Sequence, residues 1–108
     1  MSKASKSFHK MWVERLKKEP ELVVEYVKAE IEENSDVPEA VISALRTVAE
    51  ATGFEELASR AKLSEKSLYK ILSENRETHP RFETVHRLLD AIGLRLTVEP
   101  KPEHKKES

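Results

Sequence analysis

The 108-residue chain has no cysteine, only two glycines and no long apolar run. The first absence excludes disulfides, thiolate metal sites and cysteine nucleophiles, and accords with a reducing compartment. Scarce glycine suits a helical chain, which needs few breakers, and leaves no glycine-rich turn on which to mount a nucleophile. The first ten residues are polar and lysine-bearing with no apolar segment after them. Neither a signal peptide nor a membrane span is therefore predicted, and a cytoplasmic location is the expectation. An excess of either charge is also lacking. A formal net charge of -1 argues against nucleic-acid binding through bulk electrostatics. Even between Phe54 and Gly93, seven basic residues meet seven acidic ones.

What is present is 38% apolar and 36% charged residues, the balance of amphipathic helices with densely charged outer faces. The length fits one domain with extensions. In residues 7–19, Phe8, Met11, Trp12 and Leu16 recur at helical spacing. Pro20 fits the first turn of a second helix with Val23, Val24, Val27 and Ile31 as its stripe, ending at Asn34 and Ser35. Asp36 and Glu39 around Pro38 read as a capping-box variant opening a third helix, with Val41, Ile42, Leu45, Val48 and Ala49 inward and Gly53 closing it. Short helices are predicted over 54–61 and 65–74, the second capped by Ser64, followed by a polar loop to Pro80. A last helix over 81–92 carries Phe82, Val85, Leu88, Leu89 and Ile92 and ends at Gly93. Leu94, Leu96 and Val98 then alternate with polar residues, the period of a half-buried strand that Pro100 stops. A lone strand cannot satisfy its own backbone, so pairing with the same strand of a second chain is the inference. The boundaries expected are a helical leader at 1–36, a DNA-binding domain at 37–100 and a disordered tail at 101–108.

Residues 54–74 meet the demands of a helix-turn-helix. Leu57, Ala61, Leu63, Leu68 and Ile71 are the apolar set, and Ala58 is small where two helices must cross. Lys62 departs from the pattern, because glycine often fills that turn position and lysine there needs a less comfortable backbone. Short helices joined by tight turns are also common in helical proteins, so the offsets alone leave a plain helical bundle open.

Three further blocks add to this: S-x-x-S-L-Y-K from Ser64 to Lys70, P-x-F-x-T-V from Pro80 to Val85, and G-L-R-L-T-V-E-P from Gly93 to Pro100. Through them residues 43–100 resemble the antidote (antitoxin) proteins of addiction modules in the lambda-repressor-like helix-turn-helix class. Residues 20–36 resemble their leader helix less distinctively, and residues 7–19 look like an addition. The resemblance implies an all-α, lambda-repressor-like bundle with an N-terminal helical extension and one short C-terminal strand. It also implies a DNA-binding autorepressor of its own operon that neutralises a small ribonuclease-like toxin. Two alternatives remain: a free-standing transcriptional regulator without a toxin, and a helical protein-binding module that does not bind DNA.

With residues 65–74 as recognition helix, Lys66, Ser67, Tyr69, Lys70 and Ser73 face away from Leu68, Ile71 and Leu72 and are the candidates for reading bases of double-stranded DNA. Thr78, His79 and Arg81 are the candidates for phosphate contact. Leu94, Leu96 and Val98 would form the strand of a homodimer. Against these stand simpler readings: Lys66, Lys70 and Arg76 as a solvated face, and Tyr69 as a core boundary. Phe8 and Trp12 are candidates for partner contact, although packing on the chain's own helices explains them more simply. His9, His79, His86 and His104 lie far apart without ligand-spaced neighbours, so no metal or other cofactor is expected. No constellation of a catalytic kind stands out, and the expectation is a protein that is not an enzyme.

Overall fold

The computed structural model describes residues 3–37, 39–73 and 80–101, over which the chain forms six α-helices and one 3-10 turn. They are α1 (Lys3–Lys18), the 3-10 turn (Pro20–Leu22), α2 (Val23–Glu33), α3 (Glu39–Thr52), α4 (Phe54–Ala61), α5 (Glu65–Leu72) and α6 (Phe82–Ala91). Pro20 thus opens a 3-10 turn that leads into α2 and not α2 itself. α3 lies at the centre: α1, α2, α4 and α5 all pack on it, and α6 packs on α4. One apolar cluster runs through all of them, from Leu16 and Val27 through Leu45, Val48 and Leu57 to Leu68, Leu72 and Leu88. The leader is therefore folded back on the rest of the chain.

Glycine is required where α3 meets α4. Gly53 has φ 108°, its N–H closes α3 on the Ala49 carbonyl at 2.7 Å, and its own carbonyl accepts from Leu57 as α4 begins. No non-glycine residue is comfortable there. At the end of α6, Gly93 has φ 96° and the Leu94 N–H reaches back to the Leu89 carbonyl at 2.8 Å, satisfying a last-turn acceptor. The β-carbon that any other residue would bring stands 3.4 Å from Val24.

α1 turns inward only part of the face that its apolar spacing predicts. Val13 and Leu16 are buried and Trp12 half-buried, while Phe8 and Met11 stay exposed. The reason is polar. His9 on that inner face lies 3.1 Å from the hydroxyl of Thr47, which is buried, and 2.9 Å from the Glu50 carboxylate. The Thr47 hydroxyl also donates to the Ser43 carbonyl; the Tyr26 phenol has its pKa raised by burial, with Thr47 opposing the shift and Glu30 adding to it. Tyr26 in turn lies against Trp12, ring centroids 4.8 Å apart. Trp12 Nε1 is buried and finds no hydrogen-bond partner among the described residues.

The strand expected at Leu94–Val98 is absent, since no β-strand occurs among the described residues. A strand is defined by a ladder, and one chain supplies no second edge. Only Leu94 is tucked against the core; Leu96 is exposed, and Val98 is 94% exposed. Phe82 also departs from expectation. It is 76% exposed, because it stands at the first position of α6, ahead of the Val85–Leu88–Leu89–Ile92 stripe that packs inward. The capping box at Asp36–Glu39 turns on Pro38, which lies outside the described residues, as does the 101–108 tail except Lys101.

Candidate functional site

The local chemistry of residues 54–73 builds a fixed platform. α4 ends at Lys62, whose backbone is left-handed (φ 60°, ψ 43°) and whose N–H returns to the carbonyls of Ala58 and Ser59. Leu63 N–H joins the same Ala58 carbonyl at 2.9 Å. Lys62 is the one non-glycine residue with positive φ among the described residues, at the turn position where the sequence pattern asks for glycine. Ser64 then caps α5: its Oγ accepts from the Ser67 N–H at 3.0 Å and donates to the Ser67 Oγ at 2.9 Å. Leu68 and Leu72 anchor α5 in the core, with Ala58 and Ala61 of α4 buried beside the crossing.

The far end of α5 is held by a residue that local patterns do not reveal. Arg46, on α3, donates from Nε to the Leu72 carbonyl at 2.6 Å and from Nη2 to the Ser73 carbonyl at 3.4 Å. Terminal carbonyls of a helix lack intrahelical donors and carry partial negative charge, so a guanidinium there answers both needs. We expect Arg46→Ala to lower stability by about 1.5–3 kcal/mol, the range for a hydrogen bond from a charged group. Arg46→Lys should recover part of that, and urea denaturation would measure both; equal stability of all three proteins would rule out the tie.

Of the predicted base-reading residues, Lys66, Ser67, Tyr69, Lys70 and Ser73 are all exposed, but they are not equivalent. Ser67 is engaged in the Ser64 cap, and the Ser73 hydroxyl donates to the Lys70 carbonyl at 3.0 Å. Tyr69 stacks on Phe54, the first residue of α4. The cations separate into two groups. Arg60 and Arg87 are each tied to a glutamate one turn back on their own helix, Glu56 and Glu83. Lys62, Lys66 and Lys70 have no acidic partner among the described residues, and Lys66 and Lys70, four residues apart, share one face of α5.

Of the predicted phosphate contacts, Arg81 is exposed at the N-cap of α6 without an acidic partner among the described residues, whereas Thr78 and His79 lie outside them. Phe8, a candidate for partner contact, is 53% exposed and meets the Trp12 ring edge-on at 6.3 Å. Trp12 itself is mostly used internally, between Tyr26 and the Arg15 guanidinium. No group of three or more potential metal ligands comes together among the described residues, and no helix there is long and apolar enough to cross a membrane.

A family model described as probable addiction module antidote protein matches residues 7–100. The match takes in the leader helix from Ser7, so that helix is part of the family pattern and not the addition that the sequence blocks suggested. Comparison with curated proteins and with solved structures finds no match.

Proposed function

The chain belongs to the family of probable addiction module antidote proteins, and on that premise we propose that it is a homodimeric, DNA-binding antitoxin that represses its own operon. The antidote role brings a toxin partner with it, and the proposed one is a small ribonuclease-like protein. In this reading α4 and α5 form a lambda-repressor-like helix-turn-helix with α5 in the major groove, and the protein works without cofactor or catalysis.

The observation that carries the DNA reading is the charge arrangement on α5: Lys66 and Lys70 stand on its solvent face without acidic partners among the described residues, while Arg60 and Arg87 nearby in sequence are neutralised. Ammonium groups so placed, on a helix held at both ends, suit guanine acceptors and phosphates. Because the chain is neutral overall, non-specific attraction is weak, and recognition depends on two half-sites read together, about 34 Å apart.

Selection of bound duplexes from a random pool tests this, and a palindrome is the expected outcome. On the selected operator, Lys66→Ala should change base preference by about 1–3 kcal/mol at one position per half-site. Arg81→Ala should instead weaken every sequence alike and flatten the salt dependence by about one phosphate contact per subunit. Identical behaviour of the two variants would refute the assignment of roles. The exposed Phe8 and Met11 favour a second reading, in which the protein-binding surface is the whole function; a pool that yields no preferred sequence would decide for it.

A further inference from the structure

Tyr69 projects from the middle of α5 and is 52% exposed, yet its ring is held. Phe54 lies flat against it, ring centroids 4.0 Å apart and planes 6° from parallel. Phe54 is itself half-buried against the core, so the pair is built from a fixed ring and a ring pressed onto it. A solvent-facing tyrosine alone would exchange rotamers freely; here one π-face is covered, which fixes the ring plane and leaves the other face and edge outward.

The surrounding chemistry narrows what such a plate can read. Ser73 donates its hydroxyl proton to the Lys70 carbonyl and Ser67 accepts from the Ser64 cap, and α5 carries no amide or guanidinium side chain for bidentate pairing with a base. Beside the Glu65 carboxylate and the Ser67 hydroxyl, the outer face offers two ammonium groups, which act as point charges, and one rigid apolar surface. In the major groove the apolar feature that distinguishes one base is the C5-methyl of thymine.

We propose that Phe54 and Tyr69 form a thymine-reading plate: Tyr69 packs its ring on the C5-methyl of one thymine in each half-site, and Phe54 is the positioning residue that sets the ring plane. This rests on the DNA-binding reading above. It makes Phe54, at the start of α4, a determinant of specificity although it need not touch the base.

Replacing thymine by uracil removes the methyl and leaves the pairing edge unchanged. On the selected operator, each thymine is exchanged singly for deoxyuridine and the affinity of the full-length protein is measured. One position per half-site should lose about fourfold, the worth of one buried methyl-sized group. Tyr69→Ala, and Phe54→Leu, which keeps apolar bulk against the core, should bring that thymine-to-uracil ratio close to one. The salt dependence should not change. A stack that merely stabilised the fold would lower the melting temperature of the variants and leave the ratio intact. The proposal is overturned if the wild type tolerates uracil at every position, or if Phe54→Leu keeps full discrimination. A clear operator without uracil sensitivity removes this proposal alone; failure to select any operator removes the DNA reading with it.

Discussion

Leu68→Ala is expected to destabilise the protein by about 2–5 kcal/mol, the range for a leucine emptied from a close-packed core. Leu68 is fully buried and, with Leu72, is the means by which the eight-residue α5 holds to α3 and α4. A helix of that length has no independent stability in water, so its order is borrowed from this contact. Set against the roughly 5–15 kcal/mol that keeps a domain folded, the loss should lower the melting temperature by about 10 °C or more and carry operator affinity down with it. Lys70→Ala, on the exposed side of the same helix, should stay within about 0.5 kcal/mol in stability. Thermal and urea denaturation of the two variants would check this. A Leu68→Ala protein that loses less than about 1 kcal/mol would mean that α5 is positioned by its ends alone, through the Ser64 cap and the Arg46 tie.

The helices were legible in the sequence because period and punctuation agree there. Gly53 and Gly93 mark their boundaries correctly since only glycine tolerates those backbone angles, and the Leu57, Leu68 and Leu88 positions fell inward as the 3.6-residue spacing requires. Lys62 was legible only in part: the turn pattern favours glycine there while other turn geometries could accommodate lysine, and the chain adopts the left-handed conformation despite the side chain. Only part of the leader's inward face was legible, because a pattern of apolar residues cannot register a polar interface. His9 and Thr47 satisfy one another across α1 and α3, so the buried face includes a histidine while Phe8 and Met11 are left outside.

At the candidate site, the exposed face of α5 could be read from its own helical period, but its supports could not. Arg46 acts on carbonyls 26 and 27 residues away, and Phe54 reaches Tyr69 across a turn. Neither contact leaves a trace in local spacing. The one clue was that an aromatic opens a short helix whose inward positions are already filled by Leu57, Ala58 and Ala61. Within the candidate set the two serines differ, since Ser73 donates its proton to the Lys70 carbonyl whereas Ser67 accepts from Ser64.

For the DNA-binding homodimer proposed above, replacing both Leu96 and Val98 by aspartate is expected to give a monomer that loses about 10²–10⁴-fold in operator affinity, because two linked half-site contacts become two independent ones. The segment after α6 is fixed at its base by Gly93 and by Leu94, which is bonded to Leu89 and tucked against the core. In an extended segment alternate side chains share a face, so pairing as a strand would put Leu96 and Val98 together; both are exposed in the single chain, Val98 almost fully. A second copy, paired antiparallel about a two-fold axis, would supply the missing ladder and cover both side chains with the same two residues of its own. Two facing pairs of aspartates would oppose that arrangement by charge as well as by lost burial. Neither substitution touches the core, so the melting temperature measured at low protein concentration should be unchanged. Sedimentation would read the oligomeric state, and titration of the selected operator the affinity. A variant that remains dimeric would place the interface elsewhere, with the exposed Phe82 as the next apolar surface to test. A monomer that binds the operator as tightly as the parent would show that each half-site is read alone.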